Sequence, residues 1–230
     1  MKDHQLINNI ANLRQRVRLS AKKSQRKECD IRILAVSKTR SAKLVRSAAA
    51  QGLHEFGENY LQEALDKIAQ LQDLPLCWHF IGPIQSNKTR AIAENFQWVH
   101  SVDREKIALR LNSQRPAGLP PLQICLQVNI SGEDSKAGVT LEDLPALAAA
   151  VNVLPNLCLR GVMAIPAADP DPEQQQHPFR KMRAAMLDLR QSIATIDTLS
   201  MGMSADMEVA IAEGATIVRI GTDIFGPRDG

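Results

Sequence analysis

Apolar positions along this chain follow two alternating rhythms. At the N-terminus Leu6, Ile10, Leu13 and Val17 recur at three- and four-residue steps, the spacing of one helix face. Short apolar runs of strand length then alternate with amphipathic stretches of helix length. The strand-like runs are Ile31–Ser37, His54–Glu58, Cys77–Ile81, Gln97–Val102, Leu122–Ile130, Leu157–Ile165, Thr198–Met201 and Thr216–Ile220. Between them the pattern predicts helices over Ser41–Gln51, Tyr60–Leu71, Ser86–Asn95, Arg104–Asn112, Leu141–Val153, Pro172–Ile193 and Ala205–Ala212. Ser41 stands where an N-cap belongs and Gly52 just past a helix end.

Strict strand-then-helix alternation demands parallel strands joined by helical crossovers. Eight such units predict an α/β fold, a single (β/α)8 TIM barrel with an extra N-terminal helix. A doubly wound open sheet is the competing architecture, but it commonly carries a G-x-G-x-x-G first turn. Here the first turn reads Val36-Ser37-Lys38-Thr39. Barrels typically run to about 250 residues, so residues 1–230 are expected to form one compact domain, with residues 1–28 as a helix packed on the barrel.

Composition narrows the function. The aromatic share is 3%, which leaves the core to aliphatic residues and provides little base-stacking platform. A net charge of +3 from 28 basic and 25 acidic residues implies no polyanionic partner, so no nucleic acid is expected. Cys29, Cys77, Cys125 and Cys158 are widely spaced with no C-x-x-C, and read as free thiols of a reducing compartment. No signal-peptide pattern or run of about 18 apolar residues occurs, so no membrane is expected and the location is read as cytoplasmic.

Barrel active sites lie at the C-terminal ends of the strands. Three anomalies fall there. On the first strand Leu34, Val36 and Lys38 share a face, which aims a lysine at the barrel mouth; a desolvated amine attacks carbonyls. The alternative is a lysine reaching solvent. On the last strand Arg219 stands between Ile217 and Gly221 on one face and needs an acceptor, which an inward carboxylate such as Glu58 could provide. After strands seven and eight, Ser200-Met201-Gly202-Met203-Ser204 and Gly221-Thr222 combine glycines with hydroxyls, the makings of an anion cradle. The plain reading of Ser204 is a helix cap. A nucleophilic lysine, a cation and a phosphate cradle on one rim suit pyridoxal 5′-phosphate (PLP). A Schiff-base sugar-phosphate aldolase is the alternative.

The segments LAVSKT (Leu34–Thr39), FGENYLQE (Phe56–Glu63), WHFIGPIQSNK (Trp78–Lys88), LSMGMSADM (Leu199–Met207) and VRIGTDIFG (Val218–Gly226) resemble the pyridoxal 5′-phosphate homeostasis protein family. The resemblance implies a barrel like the N-terminal domain of alanine racemase, the fold-type III arrangement. It implies that Lys38 holds PLP as a reversible Schiff base and that Arg219 faces the pyridine nitrogen. Ser200, Gly221 and Thr222 match phosphate-holding positions, with Ser204 as a possible addition, and Asn59 sits in a matching rim segment. It also implies a role in vitamin B6 balance without established turnover, and a monomer that could serve apo PLP-dependent enzymes. A PLP-dependent racemase or lyase is the alternative activity. Racemisation needs a second acid, and the candidates are Tyr60, the one tyrosine, or a barrel residue such as His79. His79, Gln85, Asn87 and Lys88 receive no chemical role from the sequence.

Overall fold

The computed structural model describes residues 3–132, 137–167 and 172–227. Eight parallel strands close into a barrel in sequential order. They are β1 (Arg32–Val36), β2 (Glu55–Glu58), β3 (Cys77–Phe80), β4 (Trp98–Val102), β5 (Leu122–Gln127), β6 (Leu157–Met163), β7 (Thr198–Ser200) and β8 (Ile217–Ile220). Closure comes from β8 pairing with β1, which sets Leu34 beside Arg219. The fold is therefore the expected α/β TIM barrel. Most strands are a residue or two shorter than the apolar runs, which begin before the strand at Ile31, His54, Gln97 and Thr216 and continue past it toward the rim at Ser37, Ile81 and Met201.

The helices wrap the outside: α1 (Asp3–Lys23), α2 (Ala42–Ala49), α3 (Leu61–Gln70), α4 (Thr89–Asn95), α5 (Glu105–Gln114), α6 (Leu144–Asn152), α7 (Pro172–Ser192), α8 (Met207–Ala212) and α9 (Thr222–Phe225). Ser41 caps α2 by accepting from the Leu44 amide at 3.3 Å, and Gly52 turns away with φ +80°, both as expected. The short α9 was not expected; four residues carry too little periodicity to be seen. A 3-10 turn, Ser86–Lys88, takes the place of the first helical turn predicted before α4. No helix among the described residues is long and apolar enough to cross a membrane.

The main core lies between strands and helices. Phe56, Phe96, Phe179 and Phe225 are fully buried there, each contributing roughly 2–3 kcal/mol by removal from water. Leu6, Ile10, Leu13 and Val17 fix α1 against the barrel's outer layer. Polar contacts then place α1 beside the site. Arg16 donates from Nε to Glu208 at 2.7 Å and from Nη2 to the Ser204 carbonyl at 3.3 Å, and also pairs with Asp223. One helix thereby ties together the loops that follow β7 and β8.

Inside the barrel the packing is different. Trp98, Cys125 and Met163 form a small apolar cluster. Below the mouth Arg32 and Arg160 lie over the Trp98 ring, 4.7 and 5.3 Å from its centroid. Leu34 and Ile217 are also buried, and His79, His100, Ser200 and Arg219 add a hydrogen-bonded polar group.

Candidate functional site

The C-terminal ends of the strands surround a cavity of about 280 Å³. Lys38 enters from the end of β1, Asn59 from the end of β2, and Arg219, Gly221 and Thr222 from β8 and its loop; Ser204 comes from the loop after β7. Six of the seven sequence-derived candidates thus line one hollow. Val36, Ile81, Ile165 and Met203 supply the apolar walls. A larger hollow of 570 Å³ lies near the starts of β1 and β2, among Arg14, Cys29, Arg32 and Glu55. That is the end of a barrel that carries stability, not chemistry.

Ser200 is placed differently from the other six. It is fully buried one layer below the cavity, where Arg219 donates to its carbonyl at 2.7 Å and to its hydroxyl at 2.9 Å. Arg219 also donates to the Ala164 carbonyl at 2.9 Å. The alternative for Arg219, an ion pair with Glu58, does not occur. Glu58 points out of the barrel, where it accepts from Ser37 and Lys67, because alternation along β2 puts Gly57 inside. Burial lowers the Arg219 pKa to about 10, with Asp206 acting against it. The guanidinium is therefore charged at neutral pH.

A hydrogen-bond chain runs from Arg219 down the barrel axis. Arginine only donates, so the Ser200 hydroxyl accepts from it, and the same hydroxyl meets His100 Nδ1 at 2.9 Å. His100 Nε2 meets His79 Nδ1 at 2.9 Å, one ring donating and the other accepting. His79 Nε2 faces Cys77 Sγ at 3.4 Å and Glu55 at 3.5 Å. Burial holds both imidazoles well below the usual histidine range. Neighbouring positive charge adds to this, from Arg219 and Arg32 at His100 and from Arg32 at His79. Two neutral histidines thus fix the Ser200 hydroxyl, and Ser200 helps to fix Arg219. His100 was missed in the sequence; its signal was a polar residue two places after inward Trp98.

Ser204 does not cap α8 with its side chain. Its hydroxyl accepts from the Asp223 amide at 3.4 Å, joining the two loops that flank the cradle. Gly221 has ordinary space beside it: a Cβ there would meet Val36 O no closer than 3.4 Å. Asn59 Oδ1 is buried without a hydrogen-bond partner among the described residues. A buried orphaned acceptor is costly unless a ligand satisfies it.

Gly82 explains part of the WHFIG segment. A Cβ at Gly82 would lie 2.1 Å from the Asn59 carbonyl oxygen, so glycine is what allows the β3 loop to press against the residue bearing that orphan. Gly82→Val is expected to lose about 3 kcal/mol of stability by overpacking against backbone and to displace Asn59. Urea unfolding measures the first effect; an unchanged midpoint would mean the close approach is not needed.

Fold and rim together define a barrel of the alanine racemase N-terminal type. The family model described as "Alanine racemase, N-terminal domain" matches residues 8–229. A pyridoxal phosphate homeostasis protein of Pseudomonas aeruginosa is 62% identical over 224 residues, covering 97% of this chain and 96% of that one. Its counterpart in Escherichia coli K12 is 51% identical over 227 residues, covering 97% of each chain. The chain belongs to the pyridoxal phosphate homeostasis protein family. Among solved structures, PipY of Synechococcus elongatus with PLP bound superposes with a TM-score of 0.82 at 36% identity, covering 96% of this chain and all of that one. Alanine racemase from Corynebacterium glutamicum shares the fold, with a TM-score of 0.72 at 17% identity. This chain covers 96% of its own length in that match and 62% of the racemase.

Proposed function

We propose that this chain binds PLP in the mouth cavity, covalently through Lys38, and serves PLP homeostasis with little or no turnover of amino acids. The observation that carries this is the convergence of Lys38, buried Arg219 and the orphaned Asn59 Oδ1 on one 280 Å³ hollow. When bound, PLP supplies an aldehyde that condenses with a primary amine and releases water. Lys38 provides that amine. Arg219 offers a fixed positive donor to the ring nitrogen, and Ser204, Gly221 and Thr222 form the rim that takes the phosphate. Ser200 acts beneath them, by holding Arg219.

The same residues argue against turnover. An arginine does not readily give up a proton, so it leaves the pyridine nitrogen unprotonated and weakens the ring as an electron sink. Tyr60 is 56% exposed and His79 is sealed in the barrel axis; neither is among the described residues lining the cavity. Large exposed apolar side chains such as Leu19, Leu109 and Leu187 lie on separate helices, in keeping with a monomer that could exchange PLP with apo-enzymes.

Adding PLP to the purified chain should produce a long-wavelength absorbance band that Lys38→Ala removes. An unchanged band in Lys38→Ala would reject the lysine assignment. Sustained interconversion of L- and D-alanine that depends on Lys38 would reject the reading of little turnover.

A further inference from the structure

Both neighbours of Lys38 are held by a charged cluster that never reaches the cavity. Lys67, on α3, is 4% exposed and donates its ammonium to three oxygens: the Ser37 carbonyl at 2.7 Å, Glu58 Oε1 at 2.7 Å and Glu63 Oε1 at 2.6 Å. The Ser37 hydroxyl donates to the same Glu58 oxygen at 2.6 Å. On the other side of Lys38, the Thr39 amide donates to Glu63 Oε1 at 2.6 Å. Thr39 has φ +63°, a left-handed conformation that a β-branched residue adopts only when its surroundings enforce it.

The cluster is expensive to build. Glu58 is fully buried, burial pushes its carboxyl above the ordinary range against the pull of Lys67, and its Oε2 has no hydrogen-bond partner among the described residues. A well-packed apolar patch would stabilise a helix–strand contact as well or better. What the charged version adds is geometry. It fixes a carbonyl and a hydroxyl before Lys38 and an amide after it.

We propose that Lys67, with Glu58 and Glu63, is a positioning device for Lys38: it locks the Ser37–Thr39 backbone so that the lysine side chain starts from one fixed base and direction. The inference rests on the reading of Lys38 as the PLP lysine. It gives the FGENYLQE segment a purpose beyond Asn59, since Glu58 and Glu63 both belong to it.

Glu63→Ala is the primary test. Glu63 is 29% exposed at its side chain, and Lys67 keeps Glu58 as a partner, so the variant should fold. In the PLP-free protein, hydrogen exchange at the Thr39 amide should accelerate at least tenfold. The rate at which added PLP is captured on Lys38 should fall about tenfold, the scale of a misplaced reacting group. Global stability in urea should change little. Lys67→Met should produce the same two effects more strongly; if it fails to fold, Glu63→Ala decides alone. Faster exchange with unchanged capture would overturn the inference, as would unchanged exchange at Thr39. If the unsubstituted chain captures no PLP on Lys38, the functional reading fails and the inference with it. If it captures normally and Glu63→Ala matches it, the inference alone fails.

Discussion

Arg219→Ala should lose about 3 kcal/mol of stability and most of the affinity for PLP. The side chain makes three hydrogen bonds inside the barrel, to two carbonyls and one hydroxyl. Truncation leaves the Ala164 carbonyl without its donor, leaves the Ser200 carbonyl with the Ala164 amide at 3.3 Å alone, and opens a void, each a recognised source of loss on this scale. It also removes the donor at the head of the Ser200–His100–His79 chain, and the charge that helps keep His100 neutral. Arg219→Lys should recover the charge but not the fork, because one ammonium cannot reproduce two guanidinium arms. Urea unfolding and a PLP absorbance titration measure the two losses. Wild-type affinity in Arg219→Ala would show that the guanidinium does not contact the cofactor.

Acid should weaken the fold well before its carboxylates are neutralised. His79 and His100 are held neutral by burial, so they take up protons on unfolding at any pH below about 6.5. Their contribution is fully present above that value and is lost as pH falls. Each removes up to about 1.4 kcal/mol per pH unit over that descent. Glu55 and Glu58 act oppositely. Burial raises both, so the folded state takes up protons above the ordinary value of 4.5 and softens the fall at its acid end. The slope of unfolding free energy against pH between 6.5 and 5.5 should therefore be steep. It should flatten in the double variant His79→Gln, His100→Gln, whatever that variant's absolute stability. Equal slopes in the two proteins would show that the imidazoles are not held neutral.

The barrel was legible because each strand and helix carries its own period. The rim was legible because Lys38, Arg219 and the Ser200–Ser204 segment break that period at strand ends. Ser200 shows the limit of such reading. Its place in a glycine-containing loop suggested phosphate, yet it is the last inward residue of β7 and points at His100. Glu58 failed for the same reason, since one step along β2 separates an inward from an outward side chain. Lys67 reads in the sequence as an ordinary i,i+4 partner of Glu63, and nothing there shows that it is buried against Glu58 and the Ser37 carbonyl. Arg16 was invisible as a site residue because its partners lie far off in sequence. Arg16 reaches loops 188 and 207 residues away. Only the closed barrel brings such groups together.

The central claim is that Lys38 is where PLP is held. The direct measurement is borohydride reduction of the PLP-treated protein, followed by mass mapping of the modified lysine. The account predicts one phosphopyridoxyl group, on the peptide containing Lys38, and none on that peptide when reduction is omitted. Modification centred on any other lysine, with Lys38 untouched, would contradict it.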